Sequence, residues 1–458
     1  MPTPSPLPAA IPFSRLTISD GLLMTAELWN QAHEYHRQRQ HFYYQALFQP
    51  GIVWGLGVGV SAAPEAVEGR YRDGRWLQVQ PGVAIDRLGN PLVVPEAIPF
   101  RMQSDPPQGE TATVFLVLRY SDPRDRVGNG SAAAGVETFA LVETTDPQPE
   151  DVELCRLVLT AGQPDLSGPR DVLAPGPNQP DLRHRPQAQL RPQGQVQMVA
   201  IGDDPPGEIV ALGAAVPALY GPLAPLPPLP LSPAAVATAD PTPWDWVSLS
   251  APVARGLDSG ALATLRTHLS QGGGVLVAMD VAQTGLAALY PLVMELQQAI
   301  AAARREDAPA DLQASLQQEL AAVRGNIAGQ VATLLQTLQG FAMAVGCPLQ
   351  GSGDIPADHP LRRHPFSFSR WPDLGDQPLQ VRAWGGLVVV LGALPAAWGA
   401  DPALDLPREQ VRNAQELGVN LLHYGWYRRH LHRLQGTPAM NESKGSDSLR
   451  DRLSEGGL

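Results

Sequence analysis

The stretch Trp246–Asp280, WVSLSAPVARGLDSGALATLRTHLSQGGGVLVAMD, decides the fold class of the second half of the chain. Trp246–Ser250 and Val275–Met279 are short apolar runs, which are typical of buried strands. Asp258–Leu269 between them has the spacing of a helix, and the glycines of Gln271–Gly274 end it. The order strand, helix, strand predicts two parallel strands joined by a right-handed crossover.

The same pattern continues toward the C-terminus. Leu387–Leu391 predicts a third strand of the apolar parallel type, and Arg408–Tyr427 predicts a terminal helix. Residues 286–345 are rich in Ala, Leu, Gln and Glu, which predicts a helical hairpin interrupted near Asp307–Pro309. Such a hairpin buries its leucines either on its own domain or on another subunit. We therefore expect an α/β domain over residues 195–435 with a helical insertion.

The N-terminal part has a different pattern. Residues 1–14 are Pro-rich and predict an extended arm, and residues 15–160 predict one long helix followed by short antiparallel strands. The helix is expected over Ala26–Leu47. Residues 161–194, rich in Pro, Gln and Arg, predict a connector, and the polar residues 436–458 predict a disordered tail.

Composition and charge narrow the class of protein. The 458-residue chain has a formal net charge of −12, with 33 Lys and Arg against 45 Asp and Glu. This argues against a nucleic-acid-binding protein, because phosphate binding depends on clustered Lys and Arg. Two cysteines, Cys155 and Cys347, exclude a disulfide framework and a multi-cysteine zinc site. Neither a secretory signal nor an apolar run of about 18 residues is present, which predicts a soluble, cytoplasmic protein.

Three motifs in the first part of the chain point to one family. They are QAHEYH at Gln31–His36, PGIVWGL at Pro50–Leu56 and PGVAIDRLGN at Pro81–Asn90. In this order, over residues 15–190, they resemble a bacterial module encoded with phage-tail-like contractile injection systems. The resemblance implies a place in the baseplate of such a particle.

Three further matches lie within residues 195–435. They are LRTHLSQGGGVLVAMD at Leu265–Asp280, DHPL at Asp358–Leu361 with Pro365 and Phe366, and ELGVNLLHY at Glu416–Tyr424. They resemble an uncharacterised bacterial domain family with a class I glutamine-amidotransferase-like fold. The resemblance implies a flavodoxin-like parallel α/β sandwich. The helical insertion and the Pro-rich entry depart from the family pattern.

The nucleophile of amidotransferase chemistry is missing. That fold carries a Cys at a sharp turn after a strand, activated by a His. Here the strand ends at Asp280, and the chain contains no Gly-x-Cys-x-Gly or Gly-x-Ser-x-Gly. The sequence therefore predicts a non-enzymatic protein, a dead amidotransferase-like fold without catalytic residues or cofactor. The alternative is a hydrolase or a small-ligand-binding domain in which Asp280 and His359 share a site at the carboxyl edge of the sheet.

Other side chains are candidates for contacts with partner proteins. His33 and His36 have a spacing that binds metals, but no third ligand is evident and we expect no metal site. The basic and aromatic end of the terminal helix is expected to dock on its own sheet and to expose Arg to solvent or to an acidic partner. The full set of interface candidates is His33, His36, Tyr43, Trp54, Trp426, Tyr427 and Arg428.

These features predict a structural component of a phage-tail-like contractile injection system. We expect the β module to dock on the baseplate and the α/β domain to serve as scaffold or anchor. The expected partners are other baseplate, sheath or tube proteins, with several copies of the chain per particle and no nucleic acid. Association with the cytoplasmic face of a membrane would then be indirect. A periplasmic or membrane-peripheral partner protein is a third interpretation, which the missing signal disfavours.

Overall fold

The computed structural model divides the chain into two compact units, residues 1–191 and 192–458. It describes residues 8, 12–107, 109–122, 138–162, 165–202, 207–281, 284–375, 377–399 and 405–435. Most of the predicted N-terminal arm and the whole predicted tail at 436–458 lie outside the described residues. The chain is of the mixed α/β type, as predicted.

The first unit is one helix and a set of short strands. Helix α1 spans Ala26–Leu47, as predicted, and Thr25 caps it by accepting a hydrogen bond from the Leu28 N–H. The strands are β1 (Phe48–Gln49), β2 (Gly51–Gly55), β3 (Val58–Val60), β4 (Trp76–Val79), β5 (Gly82–Ile85), β6 (Pro91–Val94), β7 (Ile98–Arg101), β8 (Thr111–Ser121), β9 (Thr138–Thr144), β10 (Val152–Thr160) and β11 (Gln189–Leu190).

Three antiparallel sheets surround the core of the first unit. Their strand orders are β2-β5-β6, β3-β4-β7 and β10-β8-β9. Alternate side chains of these strands point into one apolar cluster that includes Leu77, Leu116 and Leu157, each completely buried. This period-two burial is the reason that strands so short are stable.

The motif PGVAIDRLGN forms the turn on which α1 rests. The buried Asp86 carboxylate accepts hydrogen bonds from the backbone N–H groups of Leu88 and Asn90 and from the Asn90 side chain. Gly89 has a φ of +84°, and a Cβ there would lie 2.9 Å from His41 Cα of α1. The motif therefore sets a tight turn whose glycine lets the helix backbone approach.

The predicted connector is for the most part a packed segment of the first unit. Asp181 and Arg156 exchange both backbone hydrogen bonds, and the buried Asn178 bonds to Val158 and Thr160 of β10. Farther on, the Ala188 N–H donates to the Ile52 carbonyl at 2.9 Å. The expectation of a free connector over 161–194 differs from the structure because these irregular residues satisfy their backbone groups on neighbouring strands.

The second unit is built on a six-stranded sheet. The strands of the whole unit are β12 (Gly194–Val196), β13 (Met198–Ile201), β14 (Leu223–Pro225), β15 (Leu229–Leu231), β16 (Trp246–Ser250), β17 (Gly274–Met279), β18 (Asp373–Leu374), β19 (Gln377–Pro378), β20 (Gln380–Trp384) and β21 (Leu387–Leu391), and six of them form the large sheet. The order in the large sheet is β15-β13-β16-β17-β21-β20. All neighbours pair in parallel except β20, which is antiparallel to β21. The predicted parallel strands β16, β17 and β21 are confirmed.

Helices cover both faces of this sheet. They are α2 (Gly207–Leu219), α3 (Ala251–Gly256), α4 (Ser259–Ser270), α5 (Gly285–Arg305), α6 (Ala310–Gln336), α7 (Gln339–Ala344), α8 (Pro360–Arg363), α9 (Leu394–Trp398) and α10 (Arg408–Gln435). Val275 and Val277 belong to the apolar cluster with α4 and α7, whereas Leu276 belongs to the cluster with α2 and α10. The parallel strands are therefore apolar on both faces.

The predicted helical insertion forms α5 and α6. The break falls at Asp307, which has a φ of +53°. Leu296 and Ile300 of α5 pack against Leu320 and Val323 of α6. By length and composition α5 is the one described helix that could cross a membrane, a test that core helices of other proteins also pass.

Residues 222–243 are Pro-dense, a composition that predicts polyproline-like structure, and the structure differs from that expectation. Leu229–Leu231 forms β15, which pairs in parallel with β13, and Pro233–Thr238 forms a 3-10 helix. Proline is tolerated in β15 because this is an edge strand, where a missing N–H costs no inner hydrogen bond.

Candidate functional site

The carboxyl edge of the parallel sheet carries Asp280, one of the two residues of the alternative site. Strand β17 ends at Met279, and Asp280 follows it with an exposed side chain. A carboxylate is a poor acyl nucleophile, so the residue directly after this strand is neither an activated thiol nor an activated hydroxyl.

His359 lies elsewhere. It is the N-cap of α8, where its Nδ1 accepts a hydrogen bond from the Leu361 N–H at 3.2 Å. Its ring centroid is 5.3 Å from that of Tyr424, whose hydroxyl donates to the Gly385 carbonyl at 2.9 Å. Burial lowers the pKa of His359, and the nearby Arg428 charge lowers it further. The hydrogen bond from the Leu361 N–H gives His359 the role of a helix cap.

Asp280 and His359 therefore do not share a site. Gly385 precedes β21, whereas Met279 is paired with Leu391 at the far end of that strand. With a rise of about 3.3 Å per residue, the two ends of β21, Leu387 and Leu391, are about 13 Å apart. The structure does not bring the two residues together at the carboxyl edge, because the loop carrying His359 packs beside the amino end of β21.

Neither cysteine offers a nucleophile. Cys155 is completely buried in the first unit, where burial raises the pKa of its thiol to about 12. Cys347 is partly buried in the second unit, and burial raises its pKa too. Both thiols are protonated near neutral pH, and thiols in that form react slowly.

The aromatic end of α10 packs on its own unit and leaves one edge exposed. Trp426 covers Gly194, where a Cβ would lie 2.1 Å from its ring, and it stacks on His430 at 5.3 Å. Tyr427 is 43% exposed and stacks on His423. Arg428 lies over the Tyr424 ring at 5.4 Å. Of the three candidates here, Tyr427 presents the most surface to a partner.

The neighbouring Arg429 was expected to be exposed and is instead 98% buried. The structure gives it a relative exposure of 2%, with its Nε 3.8 Å from an oxygen of the equally buried Asp245. Its Nη2 donates to the carbonyls of Pro241 and Thr242. Burial raises the pKa of Asp245 and lowers that of Arg429. The pair anchors α10 at the amino edge of the sheet, which no local pattern of charges indicated.

The N-terminal candidates all lie on exposed surface. His33, His36 and Tyr43 are on the outer face of α1, and Trp54 on β2 is 57% exposed. Trp29 and Leu47, which were not among the predicted interface residues, are 56% and 54% exposed on the same helix face. Helical spacing indicated both residues, because Trp29 lies four residues before His33 and Leu47 lies four residues after Tyr43.

Neither the two cavities beside β20 nor any cluster of metal ligands among the described residues adds a reactive centre. Two cavities, of about 560 and 350 Å³, flank β20, and neither is lined by Asp280 or His359. Among the described residues, no three His, Cys, Asp or Glu side chains come together in a way that would hold a metal ion.

No family model, no curated protein and no solved structure matches this chain.

Proposed function

We propose that this protein is a non-enzymatic structural subunit of a phage-tail-like contractile injection system. Its first unit docks on the baseplate through α1 and Trp54, and its second unit serves as scaffold or anchor. In this proposal the parallel sheet and its helices are an amidotransferase-like, flavodoxin-like domain that has lost its catalysis. The partners are baseplate, sheath or tube proteins, and the setting is a large cytoplasmic particle.

The observation that carries the proposal is the exposure of α1. None of the 22 residues of this helix is buried, whereas the strands of the same unit enclose a core of buried apolar side chains. Most helices in proteins are stabilised by tertiary packing of one face. Exposed aromatic residues such as Trp29 and Tyr43 are the side chains that contribute most to protein interfaces.

Among the described residues of the second unit, the side chains considered for catalysis do not form a site, which favours a structural role. Asp280 follows the strand where the proposed fold would carry a nucleophile, His359 caps a helix near the opposite end of β21, and burial raises the pKa of the Cys347 thiol. The resemblance of residues 15–190 to a baseplate module is the reason that the proposal names a contractile injection system as the particle.

Sedimentation tests this function. The chain carries a C-terminal tag, gently lysed cells are centrifuged, and the proteins that travel with it are identified by mass spectrometry. We expect sheath, tube and baseplate proteins in the fast fraction together with this chain. A slow monomer or dimer peak without those proteins would overturn the proposal.

A double variant shows which surface is used. Trp29→Ala with Trp54→Ala is expected to move the chain to the slow fraction, because it removes two exposed rings of the docking surface. Val172→Ala, at another exposed apolar side chain of the same unit, is the matched control and should stay with the particle.

A further inference from the structure

A cavity of about 350 Å³ lies between the α5–α6 hairpin and the segment that leads into β20. All of the residues that line it belong to the second unit. Its volume is within the range of about 300–1,000 Å³ that is typical of small-molecule sites, at the lower end. The cavity is therefore large enough for one small organic molecule.

The hairpin contributes apolar walls to this cavity. Val293 and Met294 of α5 and Ile327 of α6 line it, and Met294 is 48% exposed. The almost completely buried Tyr290 lines it too, and burial raises the pKa of its phenol, which stays neutral near pH 7. A ligand that covers these side chains gains free energy from the apolar area removed from water. The occupant should therefore have an apolar body.

Two arginines stand on different walls of the same cavity. Arg324 comes from α6, and Arg370 comes from the segment before β18. Within the described part of the chain, the Arg324 guanidinium makes no hydrogen bond and no ion pair. The one carboxylate among the described residues that line the cavity is that of Asp373. Two guanidiniums and one carboxylate leave the lining with a net positive charge.

The Asp373 carboxylate compensates Arg370 only weakly. The two charged atoms are 3.9 Å apart, which is too long for a hydrogen bond, and the Arg370 side chain is 86% exposed. Exposed ion pairs of this kind contribute little to stability. The Arg370 guanidinium can therefore turn to a ligand without losing a strong contact.

The charges of the lining select the end group of the ligand. A neutral molecule would displace water from Arg324 without supplying an acceptor, and a charged group that loses water without a partner is costly. A cation would be repelled by the net positive charge. Inorganic phosphate would leave the apolar walls uncovered and would bring up to two negative charges beside Asp373. One carboxylate fits best, because a guanidinium and a carboxylate can form two parallel hydrogen bonds.

We propose that this cavity binds a small monocarboxylic acid whose carboxylate pairs with Arg324 and Arg370 and whose apolar body lies on the hairpin walls. The site binds its ligand without a chemical step. The inference does not depend on a contractile particle, so its test is separate from that of the proposed function.

The test compares two probes of nearly the same shape, 3-phenylpropanoate and 3-phenylpropanamide, which differ in the charge of the end group. Isothermal titration calorimetry with the purified full chain is expected to give a dissociation constant of about 0.1–1 mM for the carboxylate, as for other ligands of this size. The amide should bind at least about fivefold more weakly, since one compensated surface charge contributes roughly that factor. Acetate, which lacks the apolar body, should not bind at these concentrations.

Methyl NMR of the chain labelled at its methionine methyl groups locates the bound probe. The Met294 signal, identified by its absence from the spectrum of Met294→Leu, should shift when 3-phenylpropanoate is added. The Met343 signal, identified in the same way, is the control. Met343 is 64% exposed on α7 and does not line the cavity, so its signal should stay in place.

Four variants test the roles of the walls. Arg324→Gln and Arg370→Gln are each expected to weaken the carboxylate about fivefold and to change the amide by less than about twofold. Met294→Glu places a negative charge on the apolar wall and should weaken the carboxylate more than the amide. Arg304→Gln, at an exposed position of α5 outside the lining, should leave both affinities unchanged. Circular dichroism of each variant verifies that the helix content is kept.

Equal affinity for the two probes would overturn the proposal, because the arginines would then not select an anion. So would binding of 3-phenylpropanoate that leaves the Met294 signal in place, or that persists unchanged when Arg324→Gln and Arg370→Gln are combined. A wild-type chain that does not bind the carboxylate at millimolar concentration would overturn it as well.

Discussion

Helices α1 and α10 are both long and rich in polar and aromatic residues, yet α1 has no buried residue and α10 has ten. Helix α10 lies in the apolar cluster on one face of the parallel sheet of the second unit. Helix α1 contacts the first unit along one strip and leaves a row of six exposed side chains in solvent. We call this row the α1 seam; it consists of Trp29, His33, His36, Gln40, Tyr43 and Leu47. The amount of apolar sequence does not explain this difference.

Part of this difference in burial is explained by the close approach of the α10 backbone to neighbouring side chains. A Cβ at Gly425 of α10 would lie 2.5 Å from the Trp246 ring, and one at Gly418 would lie 2.6 Å from Leu212. Both glycines let α10 settle against the sheet and against α2. Helix α1 contains no glycine, and the close approach to its backbone at His41 depends on Gly89 of the neighbouring turn.

The rest of the difference in burial follows from the hydrogen-bond partners of the polar groups in α10. The buried Asn420 of α10 donates to the carbonyls of Leu361 and Phe366 and accepts from the Phe366 N–H. The polar members of the α1 seam stay in solvent and need no such partner. Substitutions in α10 should therefore act on folding, and substitutions on the α1 seam should act on binding.

The largest expected effect comes from Arg429→Ala. Removing the guanidinium leaves Asp245 without its buried charge partner and with only the half-exposed Arg433 beside it, which should lower the free energy of unfolding of the second unit by up to about 3–5 kcal/mol. Arg433→Ala is the control, because Arg433 also lies 3.6 Å from Asp245 but its side chain is 52% exposed, and it should cost less than about 1 kcal/mol. Hydrogen exchange of the β16 and β17 amides measures both. Equal losses would refute the contrast between buried and exposed charge.

A smaller effect should depend on pH. His268 of α4 is completely buried, its Nε2 is 3.0 Å from the Gly274 carbonyl, and burial lowers its pKa to about 4. Between pH 6.5 and 4 the unfolded ring takes up a proton that the folded ring does not, so stability falls as pH falls. From pH 7 to 4.5 the wild type should lose roughly 2–3 kcal/mol more than His268→Phe.

Urea unfolding at several pH values, followed by hydrogen exchange of the second unit, measures this difference. The matched control is His33→Gln on the exposed face of α1, which should keep the wild-type pH dependence. A wild-type slope in His268→Phe would show that other groups cause the acid sensitivity.

The smallest effect is expected on the α1 seam. Tyr43→Ala and Gln40→Ala should change the free energy of unfolding of the first unit by less than about 0.5 kcal/mol, because both side chains are exposed. Phe42→Ala, next to them on the packed side, should cost roughly 1–2 kcal/mol through lost contact with Phe13. Thermal melting and exchange of the β2 amides compare the three. A loss above about 1.5 kcal/mol for Tyr43→Ala would mean that the seam is packed within the chain.

Much of the fold could be predicted where local pattern and tertiary role agree. Trp246–Met279, Leu387–Leu391 and α1 were predicted because apolar runs and helical spacing follow directly from which face is buried. Strand β15 was missed because its prolines suggested an irregular segment, and parallel pairing with β13 overrides that tendency at a sheet edge.

The candidate sites were predicted less well. Residue types identified Asp280 and His359 as polar groups near strand ends, but they lie beside opposite ends of the sheet. Arg429 was expected in solvent, and it is buried because Asp245, far away in sequence, meets it. Neither relation has a local signal.

The sequence alone determined the elements, their order and the faces that they offer, since the periods of helix and strand fix which side chains lie together. It also determined that no Cys or Ser stands at the turn after β17. Only the tertiary structure decided that α10 is enclosed while the α1 seam is open, and that His359 and Asp280 are apart. Burial and proximity depend on which distant segment packs against a face, and a local pattern does not specify that segment.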